Sequence, residues 1–227
     1  DNNTLVLRPD ITPSIARCVA KYYADEELPV RLCYTGNTYT NTLKLQGKLK
    51  EVTQIGAELV NDDSSAADAE IIATVIDCFN EIGISDFQIE IGQIDYFKGL
   101  VAESGISEDE ENQIKEYIHI KNFFGLEEYV DALDISESLK KAFVAFDYLF
   151  GGISMLDKEE GYVSNETSLE AVKRLRRVYA ALECYGYQDH ISFDLGMLDG
   201  YNYYTGIIFR AVTYEVGEPV ANGGRYD

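Results

Sequence analysis

Strand-like runs lie toward both ends of this chain and helix-like runs fill its middle, an arrangement that restricts the possible folds more than any other feature. Short β-type stretches occupy residues 5–7, 30–34, 50–60 and 87–91, and return at 191–195 and 203–216. Between them, about residues 98 to 190, the texture is helical: 108–124, 136–150, and a long amphipathic run opened by Thr167-x-x-Glu170 and closed by Gly186. An earlier helix is expected over 64–83, with Ile71, Ile72, Val75, Ile76, Phe79 and Ile82 on one stripe and Gly83 as its stop. Helices gathered apart from hairpin-forming strands predict an α+β fold with a largely antiparallel sheet. The division follows directly: residues 1–97 form the first part of a core, 98–190 a helical insertion, and 191–227 the second part of the core.

The run at 50–60 carries the clearest two-residue alternation. Thr53, Ile55, Ala57 and Leu59 form a mostly apolar face suited to packing on helices. Val52, Gln54, Gly56 and Glu58 form the other, where two polar side chains flank a glycine that leaves room above the sheet. Alternation alone leaves open whether this is the floor of a polar pocket or an exposed sheet surface. Upstream, Thr12 followed by Pro13 predicts a helix N-cap and a proline in the first turn.

Composition excludes several functions. With 19 basic and 40 acidic residues the formal charge is −21, so the chain as a whole repels polyanions, and no concentrated basic patch offsets this. Cys18, Cys33, Cys78 and Cys184 are scattered without CxxC pairing and read as reduced core residues of a cytoplasmic protein. No apolar run is long enough to span a membrane, and the N-terminus lacks the layout of a secretion signal. His119 and His190 have no neighbours at ligand spacing, so no metal is expected. Phosphate-binding glycine loops, HExxH and nucleophile elbows are absent from the sequence. The chain opens without Met and closes on NGGRYD, and is expected to be the ordered part of something longer.

Three stretches point further: LRPDITPSIAR at 7–17, GNTYTNT followed by GKLKEVTQIGAEL within 36–59, and LDGYNYYTG with NGGRYD within 198–227. In this order and spacing they resemble the catalytic domain of class II histidyl-tRNA synthetases, especially their non-synthetase paralogues, the regulatory subunits of ATP phosphoribosyltransferase. The resemblance covers the whole chain and implies the synthetase-like antiparallel sheet flanked by helices. It also implies a histidine pocket. Asp10 would face the α-ammonium with Thr12 in support, Gln54 and Glu58 would lie near the amino-acid and imidazole groups, Tyr203 and Tyr204 would line the pocket, and Gly223 would let backbone approach. Such a set suits a zwitterion carrying an imidazole. Each residue also has a plainer role open to it: Thr12 as a cap, the tyrosines as strand residues, Gly223 and Gly224 as a turn, Arg225 as the partner of a local carboxylate.

The nucleotide half departs from the synthetase pattern. Thr40 stands where the phosphate-holding arginine is expected, Thr42 and Leu43 replace the Glu and Arg that follow, and Asp199 replaces the arginine of Arg-Gly-Leu-Asp-Tyr-Tyr. Losing one preorganised donor costs about 10²- to 10³-fold in rate, so losing two argues against adenylate formation. The resemblance thus implies a non-catalytic subunit without cofactor that takes L-histidine as allosteric ligand. Its implied partners are the short-form ATP phosphoribosyltransferase catalytic subunit and a second copy within a larger hetero-oligomer, with neither tRNA nor membrane. The alternatives are a divergent histidyl-tRNA synthetase and a stand-alone histidine-binding signalling module.

Overall fold

The computed structural model describes residues 6–41, 49–159, 161–198 and 203–226. Leu5, Thr42, Leu43 and Asp199 lie outside the described residues. The chain divides into two compact units, residues 1–67 and 68–227.

In the first unit, helix α1 (Thr12–Tyr22) precedes an antiparallel hairpin of β1 (Val30–Tyr39) and β2 (Glu51–Val60), in register from Val30↔Val60 to Tyr39↔Glu51. Pro13 sits in the first turn of α1, as the sequence predicts, but the cap position belongs to Ile11 and Thr12 is already helical. The capping work falls to Asp10, whose Oδ1 accepts the Thr12 N–H at 3.1 Å, which frees the Thr12 hydroxyl for another partner. Val6 and Leu7 form no strand, although the carbonyl of Arg8 accepts the Tyr39 N–H at 3.0 Å and so runs the segment beside β1. On the face of β2 expected to pack on helices, Thr53 and Ala57 are exposed and Ile55 is 81% exposed.

The second unit begins with most of α2 (Ser65–Glu81), whose stop at Gly83 is the predicted one, with φ +81. Then follow β3 (Phe87–Gln93), α3 (Ile94–Ser104), α4 (Glu108–His119), α5 (Phe123–Asp131), α6 (Glu137–Val144) and the short β4 (Phe150–Gly151). The chain continues through α7 (Leu156–Glu159), α8 (Glu166–Tyr185), β5 (Ile191–Asp194), β6 (Ile207–Thr213) and β7 (Val216–Gly224). The strands form one sheet in the order β4-β5-β3-β6-β7, antiparallel except for the β3–β5 pair. β3 is thus flanked by two strands that follow the helical stretch.

The larger of two apolar clusters among the described residues joins that sheet to the helices. Ile89, Ile91 and Phe193 from the strands are buried with Phe97, Leu100, Phe143, Leu175 and Leu182. Phe97 meets Phe143 and Phe146 edge-on at 6.0 and 5.8 Å between ring centroids. The buried Ser168 hydroxyl donates to the carbonyl of Tyr96 at 2.8 Å, fixing α8 against α3. Gly99 makes this approach possible, since a Cβ there would lie 2.3 Å from Ser168 Oγ.

Local details differ from the sequence expectation for identifiable reasons. The helix expected over 108–124 is broken after His119, where Lys121 adopts φ +54 and Asn122 caps a new helix through the Gly125 N–H. Ser136 caps the next helix as the boundary at 136 implies, but the helix ends at Val144, a 3₁₀ turn follows, and Phe150 enters the sheet. Helix α8 is capped by Asn165, which accepts the Ser168 N–H at 2.7 Å. Thr167 is therefore inside the helix, and Glu170 pairs instead with Lys173 and Arg177. Residues 203–206 precede β6, and Asn222, Gly223 and Gly224 belong to β7 instead of forming a turn. The four cysteines are free thiols, but Cys33, Cys78 and Cys184 are exposed and only Cys18 is half-buried, so they are not core residues. No helix among the described residues is long and apolar enough to cross a membrane.

Candidate functional site

Asp10, Thr12 and Glu58 come together in the first unit although 48 positions separate the first from the last. The Thr12 hydroxyl donates to Glu58 Oε1 at 2.8 Å while its backbone N–H donates to Asp10. Thr12 therefore bridges two carboxylates, one through the helix start and one through the strand. Two carboxyl groups held around a hydroxyl have the chemistry to accept hydrogen bonds from a donor such as an ammonium or imidazolium.

Tyr34 completes this group and was not singled out from the sequence. Its ring occupies the space above Gly56: a Cβ on that glycine would lie 2.2 Å from Tyr34 Cζ and 2.3 Å from its hydroxyl oxygen. The room that the glycine leaves is therefore filled by an aromatic side chain from the partner strand, where Tyr34 pairs with Gly56. Burial raises the Tyr34 pKa above the usual 10.0. A hydrogen bond with Thr12 opposes that effect, and the charges of Glu58 and Asp10 add to it. The phenol thus stays protonated at neutral pH and keeps its donor.

Gln54 lies further along the same face of β2, paired with Gly36 and exposed. Arg8 passes over Gly36, donating from Nε to the Asn37 carbonyl at 2.7 Å, and a Cβ on Gly36 would meet its guanidinium at 2.9 Å. Thr40, just after β1, donates its N–H to the Lys50 carbonyl at 2.9 Å and brings no charge to the hairpin end.

The second unit carries the aromatic residues. Tyr203 and Tyr204 meet edge-on at 5.0 Å, and Tyr203 stacks on Tyr226 at 5.6 Å. Tyr226, like Tyr34, escaped the sequence reading. Gly223 and Gly224 are required by rings rather than by a turn: a Cβ on Gly223 would meet Phe209 at 2.7 Å and one on Gly224 would meet Tyr204 at 2.7 Å. Lys98 Nζ donates to the Tyr204 carbonyl at 3.4 Å and lies 3.8 Å from Asp95. Burial pushes the Asp95 carboxyl above its ordinary value, with Lys98 and Arg174 acting in the opposite direction.

Arg225 takes the local partner that the sequence left open. Its Nε and one terminal nitrogen reach Asp68 Oδ1 at 3.0 and 2.8 Å, while Arg174 reaches Oδ2 of the same carboxylate at 2.8 and 2.7 Å. No sequence signal marks this group, because Asp68, Arg174 and Arg225 come from three distant parts of the chain.

The family model for histidyl-tRNA synthetase matches residues 1–227. The chain is 44% identical over 223 residues to an ATP phosphoribosyltransferase regulatory subunit of Acetivibrio thermocellus, covering 98% of this chain and 53% of that protein. It thus spans about half the length of the curated relatives it matches. A crystal structure described as an ATP phosphoribosyltransferase regulatory subunit/histidyl-tRNA synthetase from Bacillus halodurans is 34% identical, with a TM-score of 0.91 over 100% of this chain and 60% of that one. An ATP phosphoribosyl transferase (HisG:HisZ) complex from Thermotoga maritima is 19% identical with a TM-score of 0.77, covering 100% of this chain and 81% of that one, and it shares the fold.

Proposed function

This chain belongs to the histidyl-tRNA synthetase family, and we propose that within it the chain is part of a regulatory subunit of ATP phosphoribosyltransferase that binds histidine without transforming it. What carries the reading is the match over nearly the whole chain to relatives named as that subunit, at 34–44% identity. The chemistry of each unit agrees with it. In the first, Glu58 and Asp10 offer carboxylates to an ammonium or an imidazole N–H, with Thr12 and Tyr34 as oriented hydroxyls. In the second, Tyr203, Tyr204 and Tyr226 offer ring faces and edges to a planar heterocycle.

Activation of ATP asks for fixed positive charge against its phosphates. Thr40 supplies none, and Asp199 stands where the synthetase pattern has a second arginine. The frame is retained as a histidine receptor, and the protein acts through a partner: the short-form catalytic subunit, which joins ATP to phosphoribosyl pyrophosphate. Histidine must favour one state of that complex over another, since equal affinity for both shifts nothing. The net charge of −21 agrees with a protein partner better than with tRNA.

The test is the initial rate of phosphoribosyl-ATP formation by the short catalytic subunit, with and without the intact protein that carries this chain, across a histidine titration. Activation that histidine then suppresses is the expected result. No activation by a folded protein, or histidine-dependent pyrophosphate exchange by the protein alone, would overturn the reading.

A further inference from the structure

We propose that Asp68 is a positioning residue: it holds the tyrosine wall in place through Arg225 and ties that wall to helix α8 through Arg174, so that a ligand ordering the wall is felt along α8. The last step rests on the histidine reading above, whereas the positioning itself does not.

The geometry of the node is unusual for a merely local ion pair. The Asp68 side chain is 4% exposed, and each of its oxygens receives two guanidinium nitrogens, one arginine per oxygen. One arginine would neutralise a buried carboxylate. A second, itself only 21% exposed, adds a further desolvated charge, which also acts on the Asp95 carboxyl. Asp68 holds both arginines in fixed orientation as one acceptor, the kind of planar recognition that paired guanidinium donors perform.

Arg225 is fixed by its backbone as well. Its carbonyl accepts the Thr205 N–H and its own N–H donates to Ile207, both at 2.8 Å, so the segment after β7 is bound to the segment before β6. Tyr226, the next residue, stacks on Tyr203, and Gly224, the one before, lies directly under the Tyr204 ring. All three tyrosines therefore depend on where Arg225 sits, and Asp68 sets its side chain. Arg174 lies on α8, which is also fastened to α3 by the buried Ser168 hydrogen bond. A displacement of Arg225 has a direct electrostatic route to a rigid 20-residue helix.

Hydrogen exchange resolved by residue on the intact protein tests both parts. Without ligand, Asp68→Asn should speed exchange at the Thr205 and Arg225 amides and in the middle of α8, while β3 amides at Ile89 and Ile91 stay protected. Wild-type rates at Thr205 and Arg225 would overturn the positioning role. With histidine added, the wild type should slow exchange along α8. Arg174→Met should bind histidine within about threefold of wild type yet lose that response, because the tie is cut outside the wall. An α8 response that persists in Arg174→Met would overturn the coupling. If the wild type binds no histidine but Asp68→Asn still loosens Thr205 and Arg225, the positioning role stands and the histidine reading falls.

Discussion

Replacing Gly56 with alanine tests the first unit's group of residues through a single methyl. The new Cβ would lie 2.2, 2.3 and 2.6 Å from Cζ, the hydroxyl oxygen and Cε1 of Tyr34, against ordinary contacts of 3.4 Å or more. The ring must retreat by over an ångström. Because these atoms are at the far end of a side chain, the strand itself need not break. The retreat lifts the phenol from its place beside Thr12 and Glu58 and leaves unfilled volume behind it. Overpacking of this kind costs about 1–3 kcal/mol. Urea denaturation followed by circular dichroism, on the wild type, Gly56→Ala, Tyr34→Ala and the double variant, isolates the effect. Gly56→Ala should cost about 1–3 kcal/mol in the wild-type background and under about 0.5 kcal/mol when Tyr34 is already alanine, since contacting residues are not additive. Equal costs in both backgrounds would refute the argument that Tyr34 is what Gly56 accommodates. Histidine affinity should fall in Gly56→Ala and Tyr34→Ala alike if the phenol belongs to the receptor.

Three further outcomes follow from the same structure. Glu58→Gln keeps an acceptor for Thr12 but removes the charge; loss of a charged hydrogen bond worth about 1.5–3 kcal/mol should weaken histidine binding about tenfold or more by calorimetry, and unchanged affinity would remove Glu58 from the receptor. Burial raises the Asp194 carboxyl above its ordinary 3.8, with Arg210, the Gly196 N–H and Lys121 opposing and Glu90 adding to the rise. The folded chain therefore holds a proton that the unfolded chain releases. That contribution to stability is complete below about pH 3.8 and is lost as pH rises through the folded value. Asp194→Asn should flatten this part of the profile, its melting temperature relative to wild type rising from about pH 4 upward to a plateau; a difference constant with pH would refute the shift. Finally, Asn165→Ala should cost about 1 kcal/mol by losing the cap of α8, while Thr167→Val should be close to neutral; the reverse order in urea denaturation would restore the capping box read from sequence.

What was legible in the sequence was whatever repeats or recurs locally. Alternation placed Gln54, Gly56 and Glu58 on one face of β2, and the strand-like runs at 87–91 and 191–195 are β3 and β5 of a sheet that is largely antiparallel, as expected. The resemblance implied one pocket for Asp10, Thr12 and Glu58, and Thr12 hydrogen-bonds to both carboxylates. Glycine identity was legible too, but its reason was not. Gly56, Gly223 and Gly224 all read as space or turns, whereas each accommodates a ring: Tyr34, Phe209 or Tyr204. Finding those rings requires knowing which residue lies across the ladder or in the adjoining loop, and that register is fixed by packing rather than by any property of the glycine.

The same reasoning explains why the Asp68 node left no trace. Helix and strand periods reflect burial of apolar faces, and a carboxylate buried between two arginines interrupts such a face without creating a period of its own. Asp68 lies 106 residues from Arg174 and 157 from Arg225, so no local spacing links them. On α2 the aspartate looks like a first-turn residue favourable to the helix dipole, and on α8 the arginine looks like part of a solvated stripe. Only the sheet, which carries the end of β7 to these helices, makes them partners. The residues most able to connect the tyrosine wall with α8 are therefore the ones whose local sequence says least about them.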